Sequence, residues 1–177
     1  MAAPHTNSLL VDGSRQFVWA LVLAVGMGGV IATALFFEHG LGYTPCALCL
    51  EQREPYYVAI PVALVAAISA WFVWPGCISR GMLAITGLLM TYGLVLAIYH
   101  AGVEWQFWAG PTDCAVPTGG AAATDTTSLL NALESTLPPS CDQAAGRFLG
   151  LSFAGWNVLT SAAFAFVAFR AAVVGAE

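Results

Sequence analysis

Four long runs of uncharged, mostly apolar residues divide this chain and leave little room for any soluble fold. They are Phe17–Phe37, Tyr56–Trp74, Met82–Tyr99 and Phe148–Phe169. Each run can cross about 30 Å of hydrocarbon at about 1.5 Å per helical residue. Lipid offers the backbone no hydrogen-bond partners, so a spanning segment of this kind must be helical. We therefore predict an all-α fold, a four-helix transmembrane bundle, as a single membrane domain over residues 1–177.

The composition supports a chain that is dissolved mainly in lipid. Only 8% of its 177 residues are charged, against about 25% in soluble domains. The chain has a formal net charge of −5. Proteins that bind nucleic acid need a basic surface, so we expect no nucleic-acid partner. The first run continues through Leu35-Phe36-Phe37, which favours a retained helix over a cleaved signal peptide.

The arginines indicate how the bundle is oriented. Four spans place both termini on one side with Arg15, Arg80 and Arg170, and leave Arg53 and Arg147 on the other side. Because cytoplasmic segments carry the excess of basic residues, we expect both termini in the cytoplasm. The loops of about residues 38–55 and 100–147 then face outward.

The second outer loop is the long one, and it contains a further helical pattern. Leucines recur at helical spacing at positions 129, 130, 133 and 137, and Pro138-Pro139 would end such a helix. We expect a short surface helix. It would lie either on the membrane surface or against the ends of the bundle.

Four of the five cysteines fall on the predicted outer side, as a close pair, Cys46 and Cys49, and a distant pair, Cys114 and Cys141. Two structural disulfides are one interpretation, since thiols outside the cytoplasm become oxidised. However, a CxxC bridge closes a very small loop and restricts little of the unfolded chain. Its thiols are better suited to disulfide exchange. We expect no metal, because zinc favours four closed ligands and no histidine lies near the distant pair.

Two further side chains suit a redox role. Arg53 follows Cys49 at helical spacing, and its charge together with a helix N-terminus would favour thiolate over thiol. His100, at the outer end of the third run, could donate a hydrogen bond to a cofactor, with Glu104 at i+4 orienting it. Each could instead be an interfacial residue without a chemical role. Pro55 leaves open where the second helix begins.

The segment Pro45-Cys46-Ala-Leu-Cys49-Leu-Glu-Gln-Arg53 resembles the signature of the bacterial disulfide-bond-formation protein B (DsbB) family. Tyr99-His100 to Glu104 and Gly110-Pro111-Thr-Asp-Cys114 resemble the end of that family's third helix and its outer loop. Cys141 and Arg147-Phe-Leu-Gly-Leu151 resemble the entry into its fourth helix. Gly146 departs from the bulky aromatic often found there.

The resemblance implies a thiol:quinone oxidoreductase of the bacterial inner membrane that reoxidises a periplasmic DsbA-like thiol oxidase. The partner's thiolate would attack the Cys114–Cys141 disulfide, most readily at Cys114. Cys46 would then attack Cys141 and pass the electrons to the Cys46–Cys49 pair. Cys49 would pass them to a quinone, either ubiquinone or menaquinone, from the membrane pool. Arg53 would stabilise the thiolate and the reduced quinone, and His100 would hydrogen-bond a quinone carbonyl.

Two other functions are compatible with parts of the pattern. A reductase of the vitamin-K-epoxide-reductase type also couples a CxxC to a quinone, although its CxxC is expected late in the chain. A tetraspan scaffold would carry purely structural outer disulfides.

Overall fold

The computed structural model describes residues 5–72, 74–110, 141–142, 144 and 146–173, with side chains from residue 14 onward. In chain order the elements are α1 (His5–Leu35), a π-helical segment (Phe36–Gly40), α2 (Ala47–Glu51), α3 (Glu54–Trp71), α4 (Gly76–Glu104), β1 (Arg147–Phe148), β2 (Leu151–Ser152) and α5 (Phe153–Val173).

Among the described residues, four helical stretches are long and apolar enough to cross a membrane, which confirms the predicted bundle. They are Ser14–Gly40, Ala47–Trp71, Gly76–Glu104 and Phe153–Val173. The predicted bounds were too short for α1 and α4, because a helix can continue into the polar residues that flank an apolar run. As a result His100 and Glu104 lie in the last turns of α4, where an outer loop was expected.

The start of the fourth span was predicted five residues too early. Arg147 pairs with Ser152, and Phe148 pairs with Leu151, in a two-stranded antiparallel hairpin. Leu149 and Gly150 connect the strands at φ 52° and 84°, the positive values that a two-residue hairpin turn requires. Residues 147–152 therefore form this hairpin instead of helix, and α5 begins only at Phe153.

Small residues allow the helices to approach closely. Helix α3 packs against α1 and α4, and α5 packs against α4 and α1. A Cβ atom added at Gly26 would lie 2.9 Å from the ring of Phe164, and one added at Gly87 would lie 2.9 Å from the ring of Phe169. Both glycines thus make room for aromatic rings of α5, as is usual where membrane helices meet.

The second span is broken close to the cysteines. Helix α2 holds the CxxC segment, and α3 begins at Glu54 with Pro55 in its first turn, where proline is tolerated. The regular helix therefore starts at the position that Pro55 suggested, and the cysteines precede it in a separate turn. Cys114 and the predicted surface helix of residues 129–137 lie outside the described residues.

Candidate functional site

The CxxC pair is built around the N-terminus of α2. Cys46 is the N-cap residue, and its Sγ accepts a hydrogen bond from the backbone N–H of Cys49 at 3.3 Å. The two Sγ atoms are 2.9 Å apart, with the Cys46 thiol donating to the sulfur of Cys49. A sulfur at an N-cap receives the backbone donors that stabilise a developing thiolate.

The Cys46 thiol of the reduced pair is a weak acid. Its hydrogen bond to Cys49, reinforced by burial, raises the pKa of the Cys46 thiol from 9.0 to about 12, while a contact with His100 acts in the opposite direction. Within the pair, Cys46 is thus the hydrogen-bond donor and the sulfur of Cys49 is the acceptor.

Cys141 lies at the same end of the bundle as the CxxC pair. It is buried in one apolar cluster with Cys46, Leu48 and Val103, and Cys49 packs against that cluster. Cys46 and Cys141 are 6% and 4% exposed. The predicted proximity of the two cysteine-bearing loops is thus present for Cys141, while Cys114 lies outside the described residues.

A cavity of about 490 Å³ opens on the other side of Cys49, between α1, α3 and α5. Its wall is largely apolar, with Gly26, Val30, Ile31 and Phe37 from α1 and its extension. Cys49, Arg53 and His100 also line it, whereas Cys46 does not. The volume and the mixed lining are typical of sites for small organic molecules.

Arg53 is held at this cavity by an ion pair. Its Nη1 donates to Oε2 of Glu38, which belongs to the π-helical segment following α1. The two side chains are 13% and 25% exposed. Short π-helical segments often occur at functional sites, and this one places a carboxylate beside the cationic wall of the cavity. Glu38 was not singled out in the sequence analysis.

Both ring nitrogens of His100 already have partners. Nε2 is 3.6 Å from Sγ of Cys46 and 3.8 Å from Oε1 of Glu104. Nδ1 is hydrogen-bonded by Nε2 of Gln52. The predicted i+4 partnership between His100 and Glu104 is present, and both side chains are almost completely buried. A hydrogen bond from His100 to a cofactor carbonyl remains a prediction.

Three polar side chains that the sequence analysis did not single out continue from His100 into the bundle. Gln52 accepts a hydrogen bond from Nδ2 of Asn157, and the hydroxyl of Tyr56 donates to Oδ1 of Asn157 at 2.7 Å. All three line the cavity. An asparagine within an otherwise apolar span is a signal that could have identified this group, since intramembrane polar residues usually serve a function.

The same sulfurs and imidazole form a potential metal-ligand set. Ligand atoms of Cys46, Cys49 and His100 lie within 4.8 Å of one another. A structural zinc site takes four ligands, and the three atoms here already hydrogen-bond in a chain. The arrangement therefore fits a dithiol that exchanges protons and electrons better than a closed metal site.

Aromatic rings cover the end of the cavity next to the hairpin. The ring centroids of Phe37 and Phe153 are 4.9 Å apart, and Tyr43 meets each of them edge-on at 5.9 Å. A Cβ atom added at Gly146 would lie 2.9 Å from Phe153 and 3.3 Å from Tyr43. These rings occupy the space beside Gly146, which accounts for the small residue at this position.

Comparison with known proteins agrees with this geometry. The family model described as disulfide bond formation protein DsbB matches residues 15–171. A disulfide bond formation protein B from Polaromonas sp. (strain JS666) is 31% identical over 163 residues, covering 88% of this chain and 89% of that protein. A protein of the same name from Saccharophagus degradans is 34% identical over 146 residues, covering 78% and 81%. No solved structure matches the chain significantly.

Proposed function

Because this chain belongs to the DsbB family of disulfide bond formation proteins, we propose that it is an inner-membrane thiol:quinone oxidoreductase that reoxidises a DsbA-like periplasmic thiol oxidase. A multi-pass membrane oxidoreductase of disulfide formation follows from the family and the four spans. The quinone, the partner and the residue roles are the proposal. Family membership argues against the vitamin-K-epoxide-reductase and scaffold alternatives.

The main support for the proposal is the spatial order of three cysteine sulfurs, which lead from the outer loop to the cavity. Cys141 is buried in a cluster with Cys46, Cys46 hydrogen-bonds Cys49, and Cys49 lines the cavity. Electrons that enter at Cys141 can therefore reach the cavity by disulfide exchange at Cys46. A scaffold with structural bridges needs no cavity beside one of its sulfurs.

The exchange must conserve electrons, and this fixes which sulfur attacks. A partner thiolate attacks Cys114 of the Cys114–Cys141 disulfide, forms a mixed disulfide and releases Cys141 as a thiolate. Cys141 then attacks Cys46 of the Cys46–Cys49 disulfide, and Cys49 leaves as a thiolate. The attack therefore runs from Cys141 to Cys46, opposite to the direction expected from the sequence.

The cycle closes with a second exchange. The partner's other thiol resolves the mixed disulfide and frees Cys114, which attacks Cys141 and releases Cys46 as a thiolate. Cys46 and Cys49 then form their disulfide again as two electrons leave through the cavity. In total one dithiol becomes one disulfide, releasing two electrons and two protons.

The cavity fits a quinone head group. A bound quinone would accept the two electrons and two protons and leave as a quinol. The apolar wall would hold its ring, and Arg53 would hold an oxygen atom. His100 lies on the same wall. Arg53 would also stabilise the thiolate of Cys49 beside it. Tyr56, Asn157 and Thr160 supply further polar groups on the same wall.

We also propose that the cysteine-bearing end faces the periplasm and that both termini are cytoplasmic. Three arginines lie at the opposite end of the spans, against two at the cysteine-bearing end. A DsbA-like partner acts in the periplasm, so this orientation would expose the Cys114–Cys141 pair to it.

Quinone absorbance during turnover tests the proposal. Purified protein receives a reduced dithiol substrate and a short-chain ubiquinone or menaquinone, and loss of quinone absorbance is followed. We expect turnover in the parent and in Cys77→Ser, a control at the exposed start of α4. Cys49→Ser should abolish quinone reduction. Undiminished turnover in Cys49→Ser would refute the mechanism.

A further inference from the structure

The hydrogen bonds from Tyr56 to His100 all run in one direction. The Tyr56 hydroxyl donates to Oδ1 of Asn157, Nδ2 of Asn157 donates to Oε1 of Gln52, and Nε2 of Gln52 donates to Nδ1 of His100. Gln52 and Tyr56 are 6% and 1% exposed. A buried chain of this length is costly unless every member is satisfied, and the mechanism above gives its amides no role.

The Oδ1 atom of Asn157 lies beside two hydroxyl groups. Tyr56 donates to Oδ1 at 2.7 Å, and the hydroxyl of Ser161 donates to the same oxygen at 3.3 Å. With Oδ1 accepting from two donors, Nδ2 faces Gln52, and the amide N–H of Gln52 faces the imidazole. Nδ1 of His100 is then an acceptor, and in a neutral ring the single proton must reside on Nε2.

The proton on Nε2 lies between two acceptors. Sγ of Cys46 is 3.6 Å away and Oε1 of Glu104 is 3.8 Å away. The other carboxylate oxygen, Oε2, is buried and has no hydrogen-bond partner. A sulfur in a disulfide is a weak acceptor, whereas a thiolate is a strong one. With Nδ1 held by Gln52, the Nε2 proton keeps its direction, and its contact with Sγ strengthens when Cys46 changes from a disulfide sulfur to a thiolate.

We propose that Gln52 and Asn157 are positioning residues that hold His100 as the Nε2–H tautomer, so that it donates to Cys46 whenever Cys46 is released as a thiolate. This inference rests on the proposed function, in which Cys46 leaves as Cys114 attacks Cys141 and then bonds to Cys49. The hydrogen bond lowers the energy of the released thiolate, and the proton stays on His100 throughout. Tyr56 completes the chain by fixing the orientation of the Asn157 amide.

Nitrogen NMR of histidine measures the tautomer directly. Protein labelled with ¹⁵N-histidine is prepared in detergent, and the His100 signals are assigned by their loss in a His100→Gln variant. We expect a protonated Nε2 and an unprotonated Nδ1 in the parent. Gln52→Met keeps side-chain length but removes the donor, so it should give a mixture of tautomers. Gln106→Met, an exposed glutamine just beyond α4, is the matched control and should leave the signals unchanged.

The reactivity of Cys46 tests the consequence. In a Cys49→Ala background, alkylation of Cys46 by iodoacetamide is followed by mass spectrometry at fixed pH. Loss of a hydrogen bond to a charged group should slow alkylation about tenfold in Gln52→Met. Asn157→Leu should slow it in the same direction, and Gln106→Met should not. Thermal unfolding identifies any variant that fails to fold, and Tyr56→Phe, which loses only a hydroxyl, then provides the milder test through its tautomer ratio.

The outcomes separate this inference from the proposed function. A protonated Nδ1 in the parent would overturn the inference, and so would a Gln52→Met variant with unchanged tautomer and unchanged alkylation. Neither measurement contains quinone. A parent protein with the expected His100 tautomer but no quinone reduction would refute the proposed function and leave the tautomer assignment in place.

Discussion

The pair formed by Glu38 and Arg53 leads to an unusual ranking of charge variants. Arg53→Met should impair quinone reduction more than Arg53→Met combined with Glu38→Gln. In the single variant the Glu38 carboxylate loses its cation and remains 25% exposed. It lines the same cavity as Cys49, on whose sulfur negative charge must develop. The double variant removes the cation and the repelling anion together.

Adding Glu38→Gln to Arg53→Met should restore part of the lost quinone reduction. The size of this recovery depends on how far the ion pair is buried. Exposed ion pairs contribute about 0–1 kcal/mol, whereas breaking a buried pair by removing one partner costs about 3–5 kcal/mol. Side chains that are 13% and 25% exposed lie between these limits, so we expect a coupling of about 2 kcal/mol. An energy of that size acting on the negative charge that develops at Cys49 would change kcat/KM for quinone by about 30-fold, which is the upper bound of the expected recovery.

The assay is the quinone absorbance measurement on the parent, both single variants and the double variant. Glu51→Gln, which neutralises an exposed acid on α2, is combined with Arg53→Met as the matched control and should give no recovery. A double variant that is no faster than Arg53→Met would refute the reasoning, because the carboxylate could not then act as an uncompensated charge.

Two further predictions concern stability. The folded Cys46 thiol has its pKa raised to about 12, so the unfolded chain loses this proton first. Stability of the reduced protein should be full below about pH 9 and fall towards pH 12 by at most about 1.4 kcal/mol per pH unit. Thermal unfolding between pH 8 and 10.5 should show a steeper decline in the parent than in Cys46→Ser, and equal slopes would contradict the prediction. Separately, Gly87→Val should destabilise the bundle by about 1–3 kcal/mol through its clash with Phe169, whereas Gly29→Val, with open space at its Cβ position, should cost less in the same unfolding assay.

The bundle was predictable from sequence because lipid imposes one dominant rule, that long uncharged runs become helices. The ends of the helices were less predictable, because they depend on pairing. Glu104 fell within the predicted outer loop of about residues 100–147, yet it is buried in α4 beside His100. The shortened fourth span depends on the positive φ values of Leu149 and Gly150, which apolar periodicity does not report.

The site was predictable where spacing along one helix decides proximity. Cys49 and Arg53 both line the cavity, as their separation by four residues indicated. The chain of Gln52, Asn157 and Tyr56 joins residues about 100 positions apart in sequence, and such contacts arise only from packing of the complete bundle. The ion pair of Arg53 with Glu38 depends on the π-helical segment, for which the sequence contains no recognised pattern.

The hairpin at the foot of α5 limits how far one of the sulfurs can travel. Six peptide steps separate Cys141 from Arg147, and even a fully extended backbone spans about 20 Å over that distance. Cys141 therefore stays within that distance of the hairpin at the end of the bundle. This tether therefore suits Cys141 to exchange over a short distance with Cys46, in whose cluster it is buried.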